Sequence, residues 1–292
     1  MSFSEYPINP KFSAEEISSA RIRRLKGFYN ATFYCFMKKL AFIVLIALAI
    51  ACRSDDTPRV PSTPPPPANT DTGSTNTTPA SGDPDINLLF VGNSLSYYNN
   101  MPDMITEIGE SYDLVIDTEC LCAPNYALLD HWAEPDLRRL IESGNYDYVI
   151  LQQGPSSLPE GASWLRSYGQ LIKDLADQWD VETAFYQVWP SIARYFSFED
   201  VIQNYANAAK STDSELFPVG AVWKSYIDIT GDESLYGADR FHPSRKGSFL
   251  AAWVIFHSIR PGSVRSYGAQ YATYMDEEAF NAMNDALRVH GN

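Results

Sequence analysis

The stretch Ile86-Asn87-Leu88-Leu89-Phe90-Val91-Gly92-Asn93-Ser94-Leu95-Ser96 decides how the chain is read. A short apolar run that stops at a glycine predicts a buried strand ending in a tight turn. A serine on such a turn stands at the carboxyl end of a strand, where open α/β sheets form their ligand crevice. Gly-Asn-Ser is also ordinary turn chemistry, so the stretch alone does not make Ser94 reactive. Far downstream, Asp239-Arg240-Phe241-His242-Pro243-Ser244 places a carboxylate and an imidazole three residues apart. Ser, His and Asp are the parts of a nucleophilic triad: the carboxylate fixes the imidazole tautomer while the second ring nitrogen faces the hydroxyl. Asp239 and His242 can meet on one turn, and Pro243 keeps His242 out of helical angles. Taken without Ser94, the pair reads equally as turn and cap residues with a solvated histidine.

Outward from Ile86, strands and helices alternate. Strands are expected near 114–118, 147–151, 183–188 and 216–219, and helices near 101–112, 135–143, 162–178, 199–209, 245–259 and 276–288. This alternation predicts a parallel sheet with helices on both faces. No internal repeat is visible.

The 292 residues do not all belong to that domain. Met37-Lys38-Lys39 precedes twelve uninterrupted apolar residues, 40–51, and then Cys52. A charged start, a short apolar core and small residues before a cleavage point describe a secretory signal, so 37–51 is expected to be one. Residues 1–36 do not suit the front of a signal peptide, and translation is expected to begin at Met37, leaving 1–36 as an upstream extension. From 52 to 85 the chain is mostly Pro, Thr, Ser, Asn, Gly and Asp, an expected extended tether. The folded domain is then 86–292. Its expected place is outside the cytoplasm.

Composition is that of a soluble globular protein, 45% hydrophobic and 20% charged. The net charge is −14, and removing 1–51 leaves −18. So acidic a chain argues against nucleic acid and against docking on anionic membrane by charge. The four cysteines, Cys35, Cys52, Cys120 and Cys122, make neither a disulfide framework nor a zinc motif. Cys120 and Cys122 are expected as two small buried thiols, since a bridge across one residue would be strained. No His/Asp/Glu cluster suggests a metal and no glycine-rich loop a nucleotide, so no cofactor is expected. His131 beside Trp132 reads as packing or rim, and His257 as a satisfied histidine of an apolar helix. Tyr97, Tyr98, Tyr126 and Trp189 fall in segments that should border the crevice, where aromatics either stack on sugars or pack the core.

Four segments in order resemble the SGNH/GDSL hydrolases. They are closest to a bacterial branch that begins G-N-S-[YF]-T-x-Y-N-x-L-P. Here that block reads Gly92-Asn93-Ser94-Leu95-Ser96-Tyr97-Tyr98-Asn99-Asn100-Met101-Pro102. A V-L-Q-x-x-S block is matched by Ile150-Leu151-Gln152-Gln153-Gly154-Pro155-Ser156. Pro218 to Trp223, and Leu235-Tyr236 through His242-Pro243-Ser244 with Gly247, complete the match. The G-x-S-x-G elbow of other hydrolases fits less well, because position 96 is Ser.

The resemblance implies a three-layer α/β/α, flavodoxin-like domain with a five-stranded parallel sheet. It implies Ser94 as nucleophile, His242 as general base and Asp239 as its orienting partner. For the oxyanion hole it implies the Ser94 backbone N–H. Where the family has a glycine, this chain has Pro124-Asn125-Tyr126, which makes Asn125 the stand-in. Where the family has G-x-N-D, it has Gln152-Gln153-Gly154, so either glutamine could supply the amide. Ala49-Ile50-Ala51-Cys52 likewise resembles a lipobox, implying lipidation of Cys52 and a membrane contact through that anchor only. The expected activity is hydrolysis of small acyl esters, acetyl in particular, on a carbohydrate. A lipid-directed esterase (lysophospholipase or thioesterase type) and a non-catalytic glycan-binding lipoprotein stay open as alternatives. Oligomeric state is left open.

Overall fold

Ile86–Gly92 forms strand β1 of a five-stranded parallel sheet in the computed structural model, which describes residues 83–262 and 264–290. The expected extension 1–36, the signal 37–51, the lipid site Cys52 and nearly all of the tether 52–85 lie outside the described residues. The remaining strands are β2 (Ile116–Cys122), β3 (Tyr148–Leu151), β4 (Glu182–Tyr186) and β5 (Glu215–Phe217), in the spatial order β2-β1-β3-β4-β5. That is the flavodoxin-like order, whose crevice opens at the carboxyl ends of β1 and β3, where the winding reverses. Leu88–Val91 of β1 and Val149–Leu151 of β3 are fully buried, as expected for central strands covered on both faces. β2 and β5 are the edges. In β2, Asp117 and Glu119 face solvent, giving the period-two pattern of a half-buried strand.

The helices are α1 (Ser94–Tyr97), α2 (Met101–Ser111), α3 (Leu128–Ala133), α4 (Pro135–Ile141), α5 (Pro159–Ala176), α6 (Phe198–Ser211), α7 (Val219–Thr230), α8 (Arg245–Ile259) and α9 (Glu277–His290). α2 packs on α8, and α7 on both α8 and α9, while α5 packs on α3, α4 and α6. Gly247 to His257 of α8 are all buried, the signature of a helix that is apolar all round. The expected strand at 216–219 ran through Pro218, which separates β5 from α7, and so α7 was missed. The second strand was also placed too early, at 114–118, and ended short of Cys120-Leu121-Cys122, which belong to it. Among the described residues no helix is long and apolar enough to cross a membrane.

The expectation of two free, buried cysteines is overturned. Cys120 and Cys122 are joined by a disulfide, and both are only partly buried. On an edge strand they point to the same side, one residue apart, so their sulfurs meet without moving any other element.

Candidate active site

Asn93 leaves β1 in an extended conformation and caps α1, its Oδ1 accepting from the Leu95 N–H at 3.1 Å. Ser94 is thereby the first residue of a short helix at the mouth of the crevice, the position a sequence Gly-Asn-Ser favours through N-capping. The turn is clamped from beneath by Gln152, which is fully buried at the end of β3. Its Oε1 accepts from the Asn93 N–H at 2.8 Å and from the Ser96 hydroxyl at 2.9 Å. Its Nε2 donates to Asn93 Oδ1 at 3.1 Å and to the Gln153 carbonyl at 2.6 Å. Gly92 is glycine because of this clamp: a Cβ there would stand 2.5 Å from Gln152 Oε1 and 2.6 Å from Ser96 Oγ.

His131 holds the same turn from the side. It is 2% exposed, and its Nε2–H donates to the Gly92 carbonyl at 2.8 Å. The carbonyl can only accept, which fixes the proton on Nε2, and burial holds the imidazole below its ordinary basicity. His131 is therefore a neutral anchor for the backbone just ahead of Ser94.

The other half of the site is a loop between α7 and α8. Asp239 closes a turn on itself: its Oδ1 accepts from the N–H groups of Phe241 and His242 at 3.0 and 2.9 Å. Arg240, at φ 60°, lets the chain reverse there and ties its guanidinium to Glu233. Trp189, just beyond β4, holds the loop by donating its Nε1–H to the Phe241 carbonyl at 3.0 Å, and the bridge between Tyr236 and Pro243 closes the loop on itself. Ser244 then caps α8, accepting from the Gly247 N–H.

These two halves meet. The Ser94 hydroxyl is 2.9 Å from His242 Nε2, and His242 Nδ1–H donates to Asp239 Oδ2 at 2.5 Å. The hydrogen bond from His242 is the chief reason the Asp239 carboxyl sits below the usual carboxylate range. The arrangement gives an imidazole with its outward nitrogen free to take a proton from one hydroxyl. A cleft of about 730 Å³ opens beside Ser94, walled by Asn125, Tyr126, Gln153, Trp164, Arg194 and Phe241 among others. A second hollow, of about 820 Å³, lies by β5 and the ends of α8 and α9, and none of the three residues borders it.

Asn125 does reach the cleft, at φ 63° in an exposed turn, and among the described residues nothing is bonded to its side-chain amide. The two glutamines are a correction. Both N–H bonds of the Gln152 amide are spent within the clamp, and both of Gln153 are spent on Ser156 Oγ at 2.7 Å and the Gly161 carbonyl at 2.9 Å. Neither has a donor left for an oxyanion. Trp189 is a second correction: it is fully buried and stacked on Trp223 with ring centroids 3.7 Å apart, so it is core and not rim. Tyr97 is half-buried and does not line the cleft, and Tyr98 is exposed but lies on the His242 ring. Sequence reasoning missed Trp164 and Leu158 as cleft residues, 39% and 63% exposed. The exposed tryptophan on an otherwise amphipathic α5 was the available signal. Among the described residues no group of three or more His, Cys, Asp or Glu side chains is placed to hold a metal ion.

No family model matches the chain, and no curated protein matches it. Solved structures do. A candidate SGNH hydrolase from Slackia heliotrinireducens is 22% identical, with a TM-score of 0.51 over 60% of this chain and 98% of that one. The fold is that of the SGNH hydrolases. A DUF4886 family protein from Bacteroides uniformis shares it at 16% identity and a TM-score of 0.53, covering 70% of this chain and 95% of that one. So does a catalytic mutant of an acetylxylan esterase from Geobacillus stearothermophilus, at 16% and 0.52, covering 64% of this chain and 99% of that one. In the SGNH fold as this chain builds it, Ser94 follows the first strand and His242 precedes the last large buried helix.

Proposed function

We propose that this protein is a serine esterase that hydrolyses small acyl esters, acetyl in particular, on a carbohydrate. One observation carries the proposal: the Ser94 hydroxyl, His242 and Asp239 form a continuous hydrogen-bonded chain at the mouth of a cleft. In the first step Ser94 Oγ bonds to the ester carbonyl carbon while its proton moves to His242 Nε2. The carbonyl electron pair moves to oxygen, where the Ser94 backbone N–H at the start of α1 and the Asn125 amide are the donors within the cleft. Collapse of that species expels the alcohol, which takes the proton from His242 Nε2, and leaves an acyl group on Ser94. Water then attacks the acyl carbon, gives its proton to His242, and Ser94 leaves with that proton as the free acid departs. Asp239 stays a carboxylate throughout and holds Nδ1–H.

The acyl preference rests on cleft chemistry and on likeness. Trp164, Tyr126 and Phe241 offer aromatic faces beside the polar Asn125 and Arg194, a mixture suited to sugars, and a neighbour in fold is an acetylxylan esterase. The exposed Leu158 beside Trp164 favours the second reading, a lipid-directed esterase. We further propose that Cys52 carries the lipid that tethers the domain outside the cytoplasm. A fluorophosphonate probe tests the core claim: it should label the wild-type protein and leave Ser94→Ala unlabelled at unchanged melting temperature. Persistent labelling of Ser94→Ala would place the nucleophile elsewhere. A panel of p-nitrophenyl esters separates the two substrate readings: a preference for acetyl supports the first, and a preference for chains of eight or more carbons the second.

A further inference from the structure

His242 is gripped at more than its two nitrogens. The ring of Tyr98 lies over the imidazole, centroids 4.6 Å apart and planes within 17° of parallel. Phe241 meets the imidazole edge-on, at 5.2 Å and 61°. Tyr98 is held there by its neighbours. Asn99 adopts φ 56°, a left-handed conformation that asparagine tolerates better than most residues. Its Nδ2 donates to the Pro243 carbonyl at 3.0 Å and to Ser248 Oγ at 2.9 Å, and Ser248 Oγ donates to the Tyr98 carbonyl at 3.2 Å. The backbone bearing Tyr98 is thus fastened to the residue following His242 and to α8. Among the described residues the Tyr98 hydroxyl bonds to nothing, so what the side chain brings to this contact is its π face.

We propose that Tyr98 is a positioning residue for the base: its stacked ring holds the imidazole plane in line with Ser94 Oγ and steadies the imidazolium formed when Nε2 takes the Ser94 proton, an inference that rests on the esterase reading. A neutral imidazole stacks on a phenol ring by dispersion, whereas an imidazolium is also drawn to the negative face of the ring. The attraction therefore grows as the proton moves, and an interaction stronger in the transition state than in the ground state speeds the chemical step. It should act on kcat and leave substrate binding nearly alone, because Tyr98 lies on His242 outside the cleft lining.

The test compares Tyr98→Leu and Tyr98→Phe in the full chain with p-nitrophenyl acetate and a fluorophosphonate probe. Tyr98 is 40% exposed, so both should melt like wild type; Tyr98→Met runs in parallel as a second non-aromatic variant. Tyr98→Leu should lower kcat and the labelling rate about tenfold, with KM within about twofold, and Tyr98→Phe should restore both to within about twofold of wild type. Tyr98→Leu and Tyr98→Met at wild-type rates, or Tyr98→Phe as slow as Tyr98→Leu, would overturn the role of the stack and leave the esterase standing. A wild-type protein without Ser94-dependent labelling would overturn both.

Discussion

Replacing Gln152 with leucine should loosen the turn that carries Ser94 more than it disturbs the chemistry proposed for that residue. The substitution nearly conserves volume but deletes four hydrogen bonds in a fully buried site. Two of the four partners keep another: Asn93 Oδ1 still accepts from Leu95 N–H, and the Gln153 carbonyl still accepts from the Tyr205 hydroxyl at 2.6 Å. The Asn93 N–H and the Ser96 hydroxyl are left alone with no access to water. Each orphaned group costs about 1–3 kcal/mol, so the variant should lose about 2–6 kcal/mol of a total that is about 5–15 kcal/mol for a domain. Urea unfolding followed by tryptophan fluorescence reads this as a fall in midpoint at constant slope. A loss below about 1 kcal/mol together with a hundredfold fall in kcat would refute the clamp, because it would mean that Gln152 acts on the reacting oxygen.

Gly92→Ala attacks the same contact from the other side. Its Cβ would press on Gln152 Oε1 and Ser96 Oγ, so we expect a loss of about 1–3 kcal/mol by chemical denaturation and slower fluorophosphonate labelling. His257 offers a test by pH. Burial pushes its imidazole down to about 4 from 6.5, so the unfolded chain takes up the proton first as pH falls. Stability present above about pH 6.5 is then lost progressively toward about pH 4, by about 3 kcal/mol at the limit. In His257→Phe this part of the decline in melting temperature should vanish, and an unchanged decline would assign it to other groups.

Much of the fold could be read from residue order because central parallel strands are continuous apolar runs. Leu88–Val91 and Val149–Leu151 stand out for that reason, and α8 was bounded correctly by Pro243-Ser244 ahead of an unbroken apolar segment. The meeting of Ser94 with Asp239 and His242 followed from motif order, since both segments belong at the carboxyl edge of the sheet. What could not be read was where side chains turn after a strand ends. Gln152 and Gln153 were candidates for an amide facing the substrate, yet both amides face inward, and the partners that draw them there come from three separate segments: Asn93 and Ser96 of the turn around Ser94, Ser156 of the loop after β3, and Gly161 of α5. Trp189 follows β4 just as a rim residue would, but Trp223, on a helix the sequence did not reveal, offers it a stacking partner in the core. The disulfide was set aside because a bridge between residues two apart on one face of a strand was expected to be strained, yet Cys120 and Cys122 are joined across that spacing on β2.

The pairing of Ser94 with His242 spans 148 residues, and Asn99 makes its own bonds to Pro243 and Ser248 across a similar span. A chain elongated only as far as β5 owns every strand of the sheet and the hydroxyl, but no acceptor for its proton. On the proposed reading, competence arrives only with the loop ahead of α8, after every strand of the sheet has been synthesised.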